Sequence, residues 1–152
     1  MADIRHQINI KADQQKTYVA LTTAPGIRAW WTDNADLDQQ IGGAGVFRFH
    51  YDKTVETVVL IADLQPSVLV CWAVTSSFRP EQDGTVIRFE LSPEAGGTLI
   101  DFSHTGFAEA GETFNLMNKG WAYYLVSLKR YLETGKGAPS PHIDFSIMET
   151  QN

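Results

Sequence analysis

The chain has one cysteine, Cys71, in 152 residues. No internal disulfide can form, and a reducing compartment is the simplest setting for it. Long apolar runs are also missing. The longest, Val68 to Val74, falls far short of the ~18 residues a membrane span needs. The opening residues, Met1-Ala2-Asp3-Ile4-Arg5, lack the apolar core of a signal peptide. Basic charge is scarce as well. Twelve Lys and Arg stand against 18 Asp and Glu, for a net charge of −6. That balance lacks the positive footprint that nucleic-acid binding requires. The expectation is therefore a cytoplasmic, soluble, single-domain protein that engages neither nucleic acid nor membrane. With 43% hydrophobic residues, a chain of this length buries enough surface to fold without a metal or disulfide staple.

Metal and nucleotide signatures are missing too. The four histidines, His6, His50, His104 and His142, have no ligand spacing, and Cys71 has no cysteine partner. The stretch Asp33, Asp36, Asp38 is not a calcium loop. Counted from Asp36, the required glycine place holds Ile41 and the terminal glutamate place holds Phe47. It reads as a solvated loop. Gly42-Gly43-Ala44-Gly45 lacks the Gly-Lys-Ser/Thr ending of a phosphate loop and reads as a hairpin entry turn. No metal and no cofactor is expected.

What is present is clear periodicity. Ile4, His6, Ile8 and Ile10 alternate with polar residues, the period-two pattern of a half-buried strand. Asp13 follows as an N-cap for a short helix carrying Tyr18, Val19 and Leu21. Pro25 restarts a second short helix bearing Ile27, Trp30 and Trp31. Five extended segments then alternate with turns, at about residues 46–51, 54–65, 69–76, 86–92 and 99–105. Such short turns join antiparallel strands only. In the first of these segments Phe47, Phe49 and Tyr51 alternate with Arg48 and His50, and the pattern alone leaves the inward face open. Arg88 and Glu90 alternate with Ile87, Phe89 and Leu91 and are expected to face solvent. Phe114, Met117, Trp121, Tyr124, Leu125, Leu128 and Leu132 recur at spacings of three and four, the apolar stripe of a long helix. Gly135 and Gly137 terminate it. The fold class is α+β: about six antiparallel strands, two short helices after the first strand, and a long C-terminal helix covering the sheet. Residues 1–137 form the domain and residues 138–152 a C-terminal tail. Within the tail, Ile143, Phe145 and Ile147 are expected to dock as an extended segment, on this chain or on a second copy, which leaves a homodimer open.

Asp101, Ser103 and His104 are triad residue types, but strand alternation puts His104 on the face opposite the other two. His104 shares its face with Phe102, so it is expected inside. The 4 Trp, 5 Tyr and 8 Phe are the richest remaining signal. Aromatics of this kind serve a packed core or the wall of a pocket.

Four stretches in this order carry a resemblance: Trp30-Trp31 before Gly42-Gly43, Leu69-Val70-Cys71-Trp72, Gly97-Thr98-Leu99-Ile100-Asp101-Phe102-Ser103-His104-Thr105-Gly106-Phe107, and Gly120-Trp121 with Leu125 and Leu128. Across residues 3–135 the chain resembles START-like (SRPBCC) domains, and among them the C-terminal domain of the activator of the 90-kDa heat-shock chaperone ATPase. The resemblance implies a helix-grip fold: a bent antiparallel sheet wrapped around the long helix, often with an apolar cavity between them. The expected function is binding of a small hydrophobic or aromatic molecule by Trp31, Tyr51, Trp72, Phe102, His104, Met117 and Trp121. Two alternatives stand beside it. One is a co-chaperone-like protein that activates a chaperone ATPase, a contact that is not favoured. The other is a cyclase- or hydrolase-like enzyme. His104 is its only inner-face candidate, so no catalytic residue is assigned and the reading leans against an enzyme.

Overall fold

The computed structural model describes residues 1–150. Strand β1 (Ala2–Ile10) leads into helices α1 (Gln14–Thr22) and α2 (Ala24–Trp30). A short strand β2 (Asn34–Leu37) precedes the meander β3 (Ala44–His50), β4 (Thr54–Gln65), β5 (Leu69–Ser77), β6 (Val86–Glu94) and β7 (Gly97–Phe107). Helix α3 spans Glu112–Thr134. The seven strands form one sheet in the order β1-β7-β6-β5-β4-β3-β2, with every neighbouring pair antiparallel. Register shifts between β4 and β5, at Val58/Val59 and Ile61/Asp63, add local twist that bends the sheet.

The short helices start where their caps dictate. The Asp13 carboxylate accepts from the Lys16 N–H at 2.7 Å, and Thr23 caps α2, with Pro25 in its first turn. At the other end of the chain, Gly135 closes α3 in the left-handed conformation (φ 89°) that glycine adopts without steric cost.

The sheet has one strand more than the periodicity implies. Asn34–Leu37 lies in the stretch expected as a loop, yet it pairs with β3 from Asn34↔Arg48 to Leu37↔Gly45. Only Ala35 is buried there, so no apolar alternation marks the strand. Polar contacts hold it instead. Arg48 Nη1 reaches Asp36 Oδ2 at 3.0 Å and Asn34 Oδ1 at 3.2 Å, while the Arg28 guanidinium donates twice to the Ala35 carbonyl.

The core lies between the concave face of the sheet and α3. Phe47 and Phe49 point into it, and Arg48 and His50 point away. Trp121, Leu125 and Leu128 from α3 are buried against the sheet side chains Phe89, Ile100 and Phe102. Trp31 connects the layers: its ring centroid lies 4.4 Å from Phe47, 5.0 Å from Trp121 and 6.0 Å from Trp72.

Helix α3 has a second buried face that its apolar stripe does not announce. Ser127 Oγ donates to the Trp30 carbonyl and accepts the Ala138 N–H, while the Tyr123 hydroxyl donates to the Ala138 carbonyl and accepts the Asp144 N–H. These bonds hold the segment after α3 against α2, where Ser140 bridges Thr32 in parallel. The tail therefore docks, but through Ala138, Ser140 and Ile147. Ile143 and Phe145 stay 38% and 73% exposed, and Phe145–Thr150 forms a 3-10 turn rather than an extended segment. Gln151 and Asn152 lie outside the described residues. Among the described residues, no helix is long and apolar enough to cross a membrane, and no three His, Cys, Asp or Glu side chains gather as a metal site would.

Candidate functional site

A cleft of about 730 Å3 opens at one end of the helix–sheet interface. Trp31, Phe49, Ile87 and Trp121 form its floor. One wall is Tyr51, beside the β3–β4 turn, with Phe78 at the end of β5; their rings are 6.0 Å apart. The facing wall is the N-terminal half of α3: Leu116, Met117, Gly120 and Tyr124. The 3-10 turn Pro80–Gln82 and the preceding Arg79 close the rim. The volume falls within the ~300–1,000 Å3 typical of small-molecule sites.

Gly120 borders this cleft. It sits inside a 23-residue helix, and a Cβ placed there would meet no heavy atom within 4 Å. No steric demand excludes alanine, and glycine costs the helix about 0.5–1 kcal/mol relative to it.

Four of the seven side chains expected to line a cavity, Trp31, Tyr51, Met117 and Trp121, come together in this cleft. Trp72, Phe102 and His104 do not. Trp72 stacks on Trp31 with an interplanar angle of 2°, and Phe102 packs 4.5 Å from Trp121 on the core side. The middle of the interface is filled by these rings and Phe89, so the open space is confined to one end.

His104 is 0% exposed and closes a hydrogen-bonded chain beneath the floor. The Trp121 indole N–H donates to His104 Nδ1 at 3.0 Å. The Thr85 hydroxyl donates to the Gln82 carbonyl at 2.6 Å, so its oxygen accepts from His104 Nε2 at 2.8 Å. Both ring nitrogens are thus engaged, which defines the neutral tautomer carrying its proton on Nε2. A second ring proton on Nδ1 would face the indole N–H. Burial pushes the imidazole pKa down to about 3. His104 locks α3 to the 3-10 turn on the rim; it presents no free nitrogen to the cleft.

The polar groups of the cleft are of two kinds. Thr57 and Gln82 are tied to Ser77 Oγ within the wall. Arg79, Glu81, Tyr51 and Tyr124 border the open space. Burial raises the Tyr124 pKa well above the ordinary phenol value and raises that of Tyr51 as well, so both hydroxyls keep their protons at neutral pH. Glu81 Oε1 accepts from the Thr113 hydroxyl at 2.8 Å, which holds the carboxyl below its usual range.

Periodicity does not single out the rim. Phe78, Arg79 and Gln82 lie in a stretch that reads only as a turn-rich loop. Tyr124 was legible, since it continues the stripe three residues after Trp121. Gly120 stood in the sequence only as part of the Gly120-Trp121 stretch that carries the resemblance, not as a site residue.

The fold has relatives among known proteins. The family described as Activator of Hsp90 ATPase homolog 1-like protein matches residues 11–133. The solution structure of the Aha1 dimer from Colwellia psychrerythraea is 34% identical in sequence, with a TM-score of 0.77 over 90% of this chain and 100% of that one. An AHSA1-like protein from Aeromonas hydrophila is 14% identical, with a TM-score of 0.71 over 88% of this chain and 94% of that one. A protein from Staphylococcus saprophyticus is 18% identical, with a TM-score of 0.72 over 90% and 95%. At these last two identities the likeness is one of fold. No curated protein matches the chain.

Proposed function

The chain belongs to the family of Activator of Hsp90 ATPase homolog 1-like proteins, within the START-like (SRPBCC) superfamily, and from that premise we propose that its cleft binds a small hydrophobic or aromatic molecule. The observation that carries this reading is the cleft of about 730 Å3 itself, walled by aromatic and apolar side chains, with Gly120 on its helical wall where alanine would fit and would favour the helix. Binding would draw on burial of apolar ligand surface, worth roughly 25 cal/mol per Å2 removed from water. Trp31 and Trp121, held by the core beneath them, offer rigid stacking surfaces, and Met117 offers an adaptable one. Native mass spectrometry of protein purified without detergent tests the proposal. The expected result is a retained small molecule that is released on denaturation and held more weakly by Met117→Trp, whose larger indole crowds one wall of the cleft. Bare protein from several expression hosts, together with no uptake from an added apolar library, would overturn it.

A second reading rests on the family's description, namely stimulation of a chaperone ATPase of the Hsp90 type. The 34% identical relative is a dimer in solution, and the same assembly is proposed for this chain. Several-fold stimulation at stoichiometric amounts of purified protein would favour this second reading; no stimulation would remove it. Light scattering decides the assembly, a dimer mass supporting it and a monomer mass at 100 μM contradicting it.

A further inference from the structure

Resting on the cleft-binding reading, we propose that the preferred ligand is an amphipathic carboxylate, its apolar body in the aromatic cleft and its carboxylate on Arg79. Of the five other arginines, Arg5, Arg28, Arg48 and Arg88 each pair with a carboxylate, and Arg130 lies outside the cleft lining. Arg79 is the cation of the cleft lining, and among the described residues it joins no ion pair. Its guanidinium makes one hydrogen bond, from Nη1 to the Thr113 hydroxyl at 3.3 Å, out of the five N–H donors it carries.

That bond fixes the group in place. The Thr113 hydroxyl in turn donates a hydrogen bond to Glu81 Oε1, so Arg79, Thr113 and Glu81 form a chain of hydrogen bonds that ties the rim to the first turn of α3. The Arg79 charge reaches the Tyr51 phenol on the adjoining wall: burial raises that pKa and Arg79 opposes the rise. Tyr51 adds a hydroxyl donor on the same side of the cleft. The rim thus holds a guanidinium fork with spare donors and a protonated phenol. Such a set matches an anion that accepts several hydrogen bonds at once, and guanidinium fits a carboxylate in bidentate fashion. Glu81 is the one carboxylate of the lining and would repel the ligand; one of its oxygens is occupied by the Thr113 hydroxyl, and Arg79 attracts its charge. In a chain of net charge −6, a positive group on this apolar cleft gives an anionic ligand a specific place to bind.

The test uses matched pairs that differ only in the head group: 2-naphthoate with 2-naphthalenemethanol, and dodecanoate with 1-dodecanol. Affinities are measured by titration at low and high salt on wild type, Arg79→Gln, Arg79→Lys and Glu81→Gln. The wild type is expected to bind each carboxylate at least about tenfold more tightly than its alcohol, as a charge-assisted hydrogen bond exceeds a neutral one. Arg79→Gln should erase that difference while leaving the alcohols unchanged, and Arg79→Lys should restore part of it. Glu81→Gln should strengthen carboxylate binding about threefold, the effect of removing a like charge on the order of 6 Å away in a water-like medium. Added salt should weaken only the carboxylates. If the alcohols bind as tightly as the carboxylates, or the carboxylate preference survives Arg79→Gln, the Arg79 assignment is wrong while the cleft still binds. If neither member of either pair binds, the cleft reading fails and the assignment falls with it.

Discussion

Acid should destabilise this fold through one buried imidazole. In the folded chain His104 has a pKa of about 3, with burial as its cause. In the unfolded chain it returns to roughly 6.5. The folded value is depressed, so the stability it contributes is fully present above the unfolded pKa and is lost as pH falls toward the folded one. A tenfold difference in proton affinity between the two states corresponds to about 1.36 kcal/mol. The whole window is therefore worth about 5 kcal/mol, of which about 2 kcal/mol is lost between pH 7 and pH 5. That is a large share of the ~5–15 kcal/mol by which domains are stable. The assay is urea unfolding of wild type and His104→Gln at pH 7, 6 and 5. Glutamine cannot titrate, and the surface carboxylates and other histidines cancel in the difference. Wild type should lose about 2 kcal/mol more than the variant between pH 7 and 5. Parallel pH curves would mean that the folded protein takes up the proton, and the hydrogen-bonded chain from Trp121 through His104 to Thr85 would be wrong.

Trp121→Ala should cost about 3–5 kcal/mol in chemical denaturation, since it empties the centre of the ring cluster and strips His104 Nδ1 of its donor; a loss below about 1 kcal/mol would refute that packing. Gly120→Ala should raise stability by about 0.5–1 kcal/mol, because the new methyl meets nothing; a destabilised variant would show that the space is not open. Deleting residues 138–152 should lower the melting temperature, because Ser127 and Tyr123 lose buried hydrogen-bond partners and Ile147 leaves the core; an unchanged melting curve would show that the tail adds nothing.

Much of the architecture was legible because burial leaves a periodic trace. The α3 stripe, the N-cap at Asp13, the stop at Gly135 and the inward face of His104 follow from spacing and cap chemistry. Strand β2 was not legible, because Asp36 and Asn34 pair with Arg48 on a partner strand known only once the chain is folded. The second buried face of α3 was hidden for a similar reason: Ser127 and Tyr123 are polar, and their partners on α2 and the tail are remote in sequence. The aromatic character of the site was legible, but its position was not. Whether a ring fills the core, like Trp72, or borders an opening, like Trp31, depends on how far the sheet bends away from α3. That depends on the bulges in β4 and β5, which have no single-residue signature.

Ligand-dependent thermal stability of wild type against Met117→Trp tests the central claim most directly. A ligand that binds only the folded state, at a free concentration ~100 times its dissociation constant, stabilises by about 2.7 kcal/mol. For a domain of this size each kcal/mol raises the melting temperature by roughly 2–4 °C. Apolar or aromatic compounds that occupy the cleft should therefore raise the wild-type midpoint on the order of 5–11 °C and raise that of Met117→Trp by less, with both proteins folded in the absence of ligand. A shift of the same size in Met117→Trp for every compound, or no shift from a broad apolar library, would contradict the cleft as a binding site and return its aromatics to the core.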